Sequence, residues 1–213
     1  MTTGICGVIL AAGESSRMGR DKALLPWPKE MQRESAPVSS PLGGTLLSAA
    51  IRAFSSYCDL VLVVAGKNAD NLRPIVYAES AFLVCNQEPQ RGQFSSLKVG
   101  LHKVLDHGRD SAMITLVDRP PVQPETLRTL VQAFSRRDHG VWAIVPEFKG
   151  KHGHPILIGR EMIEAFLRAP VTSSAREIEH ANQNCISYLS VDDHLIVTNI
   201  DTPQDYLSLP SSP

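Results

Sequence analysis

The sequence predicts an α/β fold: a three-layer, doubly wound and mostly parallel sheet. Three observations carry that expectation. Five predominantly apolar runs, at 8–12, 59–66, 81–85, 111–117 and 142–146, have the composition of strands buried on both faces. Between them lie segments with apolar residues spaced by three and four, the pattern of helices packed on a sheet. Polar stretches follow three of the strands directly, at 13–22, 86–96 and 118–121, and in open α/β sheets ligands sit beyond the carboxyl ends of the strands. These three loops are expected on one rim.

Taken in order, residues 27–44 follow the first loop and are rich in Pro, Ser and charge, which predicts a surface loop. Thr45 opens a helix carried by Leu46, Leu47, Ala50, Ile51 and Phe54. The run 68–76 is a weaker helix, and a further helix extends from the 86–97 loop to about Leu105. Helix 124–135 begins with Pro124, where a missing N–H costs little. After a Gly/His turn at 150–155 comes a short strand at 156–158, then helices at 159–167 and 173–182. The tail adds segments at 185–191, 195–199 and 201–207. No repeat or low-complexity linker divides residues 1–213, so a single domain is expected, with 27–44 as an insertion.

A chain of 213 residues can bury a proper core, and its 43% hydrophobic and 20% charged content is that of a soluble globular protein. A formal net charge of −1 with no basic block argues against general nucleic-acid or membrane-surface binding. No apolar run approaches the roughly 20 residues that span a bilayer, and the first residues lack a basic leader. Cys6, Cys58, Cys85 and Cys185 have no C-x-x-C spacing and read as buried reduced thiols. A cytoplasmic enzyme is expected.

The chemistry concentrates at the start. The run from Gly7 through Ala12 ends in small residues, followed by Gly13 and Gly19 interleaved with Arg17, Arg20 and Lys22. Small residues let backbone N–H groups approach a ligand, and Gly13 and Gly19 permit positive φ. Successive N–H groups form an anion-binding concavity to which Arg17 and Lys22 add full charges. It is neither a Walker loop, since five residues separate Gly13 from Gly19 and Arg20 follows, nor the G-x-G-x-x-G fingerprint. Asp118, directly after a strand, is placed to hold Mg²⁺ against phosphate oxygens, though Asp is also an ordinary turn former. Asp201 is a second metal candidate that could equally cap the helix after Thr202-Pro203. Ser95 and Ser96 could cap the helix they enter or touch a ligand. His154, in a Gly/Pro turn, could be a plain hydrogen-bonding residue.

The motif Leu10-Ala11-Ala12-Gly13-x-Ser15-x-Arg17-Met18-Gly19-x-x-Lys22-x-Leu24-Leu25-Pro26 resembles the signature of the nucleotidyltransferase superfamily, and within it the molybdenum cofactor cytidylyltransferases and their relatives. Further segments resemble the same family in the same order: Asn86 with Gly92 and Ser96-Leu97, Val117-Asp118-Arg119-Pro120, Gly153-His154-Pro155, Ala175-Arg176, and Asn199-Ile200-Asp201-Thr202-Pro203-Gln204-Asp205-Tyr206. Arg119 stands where that family usually has Gln, His152 where an Arg is common, and Asn199 where it has Asp.

The resemblance implies a Rossmann-like fold of the nucleotide-diphospho-sugar transferase type. It implies an NTP, CTP favoured over GTP by Ala12, bound by Leu10, Ala11, Ala12, Gly13, Arg17, Lys22, Asn86 and Ser96. Arg17, Lys22 and Asp118 would act on the phosphates, with Mg²⁺ on Asp118 and Asp201. A molybdopterin-type acceptor would meet Arg119, His154 and Arg176, with a molybdoenzyme as a further partner.

Overall fold

The computed structural model describes residues 4–13, 15, 18–28 and 44–209. Among them, eight strands join in one sheet: β1 (Ile5–Ala11), β2 (Leu60–Ala65), β3 (Phe82–Cys85), β4 (Ser111–Leu116), β5 (Ala143–Phe148), β6 (Lys151–His152), β7 (Ile156–Gly159) and β8 (Ile186–Ser190). Their order is β3-β2-β1-β4-β7-β5-β6, with β8 also paired to β5. Every residue of β1 is buried, as its unbroken apolar sequence requires of a strand covered on both faces. It pairs in parallel with β2, Val8 opposite Leu62, and with β4, Val8 opposite Ile114. The parallel set is broken by β7, antiparallel to both β4 and β5. The reason is local: Lys149 (φ 50°) and Gly150 (φ 77°) both take positive φ, the two-residue turn that folds a strand back on its neighbour.

Helices α1 (Leu46–Ser55), α2 (Ala69–Ala78) and α4 (Pro124–Ser135) bury one face of the sheet, with Ile51, Phe54, Leu72 and Leu130 against Ile9 and Val63. Helices α3 (Gln93–Asp106) and α5 (Arg160–Arg168) bury the other, with Leu101, Ile163 and Phe166 against Val8, Val64 and Ile158. Helix α6 (Ala175–Ala181) packs on this second face. The result is the three-layer, doubly wound arrangement expected from the alternation of periods. Helix α1 starts where Thr45 and Ser48 exchange side-chain and backbone hydrogen bonds, each 3.0 Å.

A third apolar cluster joins the two ends of the chain. Met18, Leu25 and Trp27 pack with Leu46, Ile200, Tyr206 and Leu209, the last residues lying in and just after α7 (Pro203–Ser208). Trp27 is therefore core, although it opens the stretch that reads as a surface loop; residues 29–43 of that stretch lie outside the described residues. Of the thiols, Cys6 is buried and Cys58 and Cys185 are partly buried, but Cys85 is exposed, at the end of β3, the outermost strand of the order. Residues 194–197 form a 3-10 turn. No helix among the described residues is long and apolar enough to cross a membrane.

Candidate active site

The loop after β1 is held by side-chain hydrogen bonds from below. Asn68, just after β2, donates from Nδ2 to Ala11 O (2.9 Å) and to Asp21 Oδ2 (2.7 Å), while its Oδ1 accepts from Gly66 N (3.1 Å). Asp21 caps the 3-10 turn Lys22–Leu24 by accepting from Ala23 N at 3.0 Å, and Lys22 N donates to Ser15 Oγ at 3.1 Å. The backbone of Lys22 is thus fixed from two directions. Positive φ falls on Ser15 (50°) and Gly19 (68°), not on Gly13. At Gly13 the space a Cβ would enter is open, so its value is a bare backbone facing the cleft. Asn68 and Asp21 carry no motif, and sequence reasoning missed both.

The carboxylates arrive from the other strand ends. Val117 N donates to Leu10 O (3.0 Å), which holds the end of β4 level with the end of β1. Asp118 O then accepts from Ile200 N at 2.8 Å, and that bond draws the tail alongside, with Asp201 next in line. The cap of α7 is Thr202, reciprocally bonded with Asp205, so Asp201 is not used as a helix cap. The Lys22 ammonium lies 3.0 Å from Asp201 Oδ1 and 3.5 Å from Asp118 Oδ2. Lys22 is buried, while the Asp118 and Asp201 side chains are 30% and 33% exposed, and Asp118 lines the cleft. Asp118 Oδ1 is buried with no hydrogen-bond partner among the described residues. An orphaned carboxylate oxygen is costly unless something cationic meets it. Two carboxylates, one with a free buried oxygen, fit Mg²⁺, which takes one or two protein carboxylates and completes its shell with phosphate and water.

The cleft has a volume of about 400 Å³ and is lined by Leu10, Ala12, Gly13, Lys22, Ser96 and Asp118, together with the first turn of α3. Gly92 (φ 90°, ψ 177°) opens that helix in a conformation reserved for glycine and aims its N-terminus at the cleft. The unpaired N–H groups there favour an anion. Buried Asn86 donates to Ser95 Oγ and Ser96 Oγ, each 2.9 Å. Ser95 and Ser96 lie inside α3, with Ser95 Oγ bonded to Gly92 O at 2.7 Å. The three strand-end loops therefore do meet on one rim.

The structure brings Leu10, Ala12, Gly13, Lys22, Ser96 and Asp118 onto the cleft wall, with Asp201 on Lys22. Ala11 and Asn86 lie beneath that wall. Arg17 falls outside the described residues. Arg119 turns away from the cleft: its Nη1 donates to Ile196 O (3.2 Å), its Nε is buried without a partner among the described residues, and burial pushes its pKa down against the pull of Asp118 and Asp201. The same Ile196 O accepts from His154 N at 2.9 Å. His154 Nδ1 lies 3.3 Å from Ile114 O. Desolvation first, then the Arg119 charge, lowers its pKa to about 4, partly offset by that carbonyl. Arg176 is exposed on α6, beside Glu179, and off the cleft wall.

A cleft of about 400 Å³ with a helix N-terminus on its wall, floored by a lysine between two carboxylates at the carboxyl edge of a mostly parallel sheet, is the equipment of nucleotide chemistry. Residues 7–185 match the family described as the MobA-like NTP transferase domain, and the chain belongs to that family of nucleotidyltransferases. It is similar to "Molybdenum cofactor cytidylyltransferase" of Escherichia coli (strain K12), 26% identical over 94% of this chain and 93% of that protein. It is also similar to "Probable molybdenum cofactor guanylyltransferase" of Rhodopirellula baltica, 25% identical over 94% of this chain and 89% of the relative. Among solved structures it resembles Rv0371c of Mycobacterium tuberculosis H37Rv, 26% identical, with TM-score 0.76 and 97% of each chain covered. A second structure of that protein, a complex with manganese, is 25% identical with TM-score 0.72, again covering 97% of each chain.

Proposed function

We propose that this chain transfers a nucleoside monophosphate from an NTP, CTP by preference, to the phosphate of a molybdopterin-type acceptor in the presence of Mg²⁺, releasing pyrophosphate. The observation that carries the reading is the Lys22 ammonium seated between Asp118 and Asp201 where three strand-end loops meet. The Escherichia coli and Rhodopirellula baltica relatives, named for the molybdenum cofactor, support the acceptor, and the manganese complex of Rv0371C supports a divalent cation.

An oxygen of the acceptor phosphate forms the new bond to the α-phosphorus of the NTP, and the α–β bridging bond breaks. That nucleophile is anionic near neutral pH, so no strong general base is needed and catalysis is positioning with charge neutralisation. Leu10, Ala12, Gly13 and Ser96 hold the nucleotide, with Ala11 and Asn86 supporting them from beneath. Arg17 and Lys22 take the phosphates. Asp118 and Asp201 hold Mg²⁺, which when bound withdraws charge from the phosphate oxygens. Arg119, His154 and Arg176 do not line the cleft and would meet the acceptor only where it extends beyond the cleft wall, and Ala12 favours cytidine. The whole chain acts as one unit in the cytoplasm and hands its product to a molybdoenzyme.

The test is pyrophosphate release from CTP, GTP, ATP and UTP, each with Mg²⁺ and molybdenum cofactor. Release fastest from CTP is the expected result. Fastest release from GTP would overturn the cytidine preference, and none from any nucleotide would overturn the transfer itself.

A further inference from the structure

Lys22 does more in this structure than wait for phosphate. Its Nζ stands 3.0 Å from Asp201 Oδ1 and 3.5 Å from Asp118 Oδ2, between the two carboxylates assigned to the metal. Without it, two like charges would face each other in a partly desolvated cleft, offset only in part by the Arg119 guanidinium, an arrangement that is unfavourable. A divalent cation bound by the same two carboxylates would stand against the ammonium and be repelled by it. The backbone of Lys22 is pinned by Ser15 Oγ and by the capped turn tied to Asn68, so only the side chain is free to leave. A lysine side chain, with four rotatable carbons and a compact charge, is suited to that exchange.

We infer that Lys22 is a counter-cation that holds Asp118 and Asp201 together in the nucleotide-free protein and makes divalent-cation binding conditional on the nucleotide. This rests on the metal site proposed above. An entering triphosphate offers the ammonium a more highly charged partner and draws it off the carboxylates. Asp118 and Asp201 are then released to the cation that accompanies the phosphates. The orphaned Asp118 Oδ1 marks the side on which the ammonium leaves Asp118 unsatisfied. The nucleotide-free protein is thereby protected from capturing a bare cation. By reciprocity, part of the coupling between nucleotide and cation runs through Lys22.

The experiment measures Mn²⁺ binding to purified protein by the electron paramagnetic resonance of free Mn²⁺, with no turnover involved. Wild type, Lys22→Met and Lys22→Gln are compared without nucleotide and with a non-hydrolysable CTP analogue. The expected result is that both variants bind Mn²⁺ without nucleotide at least about tenfold more tightly than wild type, the scale of removing one unit charge from a partly exposed site. Adding Asp118→Asn to Lys22→Met should abolish that gain. Mn²⁺ affinity equal in wild type and both variants would overturn the counter-cation role while leaving the metal site standing. Mn²⁺ bound by none of the proteins, with or without the analogue, would overturn the metal site and the inference together.

Discussion

At the scale of single residues, His154 is kept neutral by burial and by the Arg119 charge, with a pKa of about 4 against 6.5 in the unfolded chain. Ile114 O can only accept, so neutral His154 carries its proton on Nδ1. Between those two pKa values the unfolded chain takes up a proton that the folded chain refuses. Stability is therefore complete above the unfolded value and falls as pH drops through that window, by up to about 3 kcal/mol. Urea unfolding at about pH 7 and about pH 4.5 should show the loss in wild type and a flatter response in His154→Gln. A slope unchanged by the substitution would remove His154 as its source. The individual residues were unevenly legible. Gly13, Lys22 and Asp118 announce themselves by chemistry placed directly after apolar runs. Asn68 and Asp21 do not, because a half-buried hydrogen-bond bracket of 2.7 Å joining residues 47 positions apart leaves no local pattern. Arg119 is expected to meet the acceptor, yet its partner is a backbone carbonyl 77 residues away.

At the scale of elements, the site depends on how closely the tail approaches the rest of the fold. Gly153 packs against the 194–197 turn so tightly that an added Cβ would lie 2.3 Å from Ile196 O, a backbone atom with little freedom to yield. Gly153→Ala should push that turn, and Asp201 beyond it, away from β4. The expected cost is about 3 kcal/mol of stability, read by denaturant unfolding, with a parallel loss of turnover. On the other side of Asp201, Tyr206 of α7 donates to Pro26 O at 2.7 Å, tying the helix to the segment that follows Lys22. Tyr206→Phe should cost about 1 kcal/mol and raise KM for the nucleotide more than it lowers kcat. A Tyr206→Phe protein with unchanged stability and KM would show that the apolar cluster alone holds the tail. The family-like segment at 199–206 revealed the importance of this region from sequence. Which side chain caps the helix was not legible, since the Asp201 carboxylate and the Thr202 hydroxyl are both competent caps and only the geometry of Asp205 decides between them.

At the scale of the whole molecule, the alternation of buried strands with helical periods was sufficient to predict three layers and a shared rim. A parallel sheet covered on both faces leaves little choice in how such segments pack. The position of β7 was less accessible: its sequence marks a short strand, but its antiparallel place between β4 and β5 follows from two positive-φ residues in a hairpin. That insertion matters for function, because it carries the 153–155 turn to β4 and lets Ile196 O gather His154 and Arg119 beside Asp118. The fold thus delivers the loop after β1, the end of β4 and the C-terminal tail to one point, and Lys22 with Asp118 and Asp201 is that point. The most direct measurement is the rate of pyrophosphate release from CTP, with Mg²⁺ and molybdenum cofactor, by wild type and by Asp118→Asn. The expected result is a fall of at least about 10²-fold with the circular dichroism spectrum retained. Turnover at the wild-type rate by Asp118→Asn would contradict the assignment of catalysis to this site.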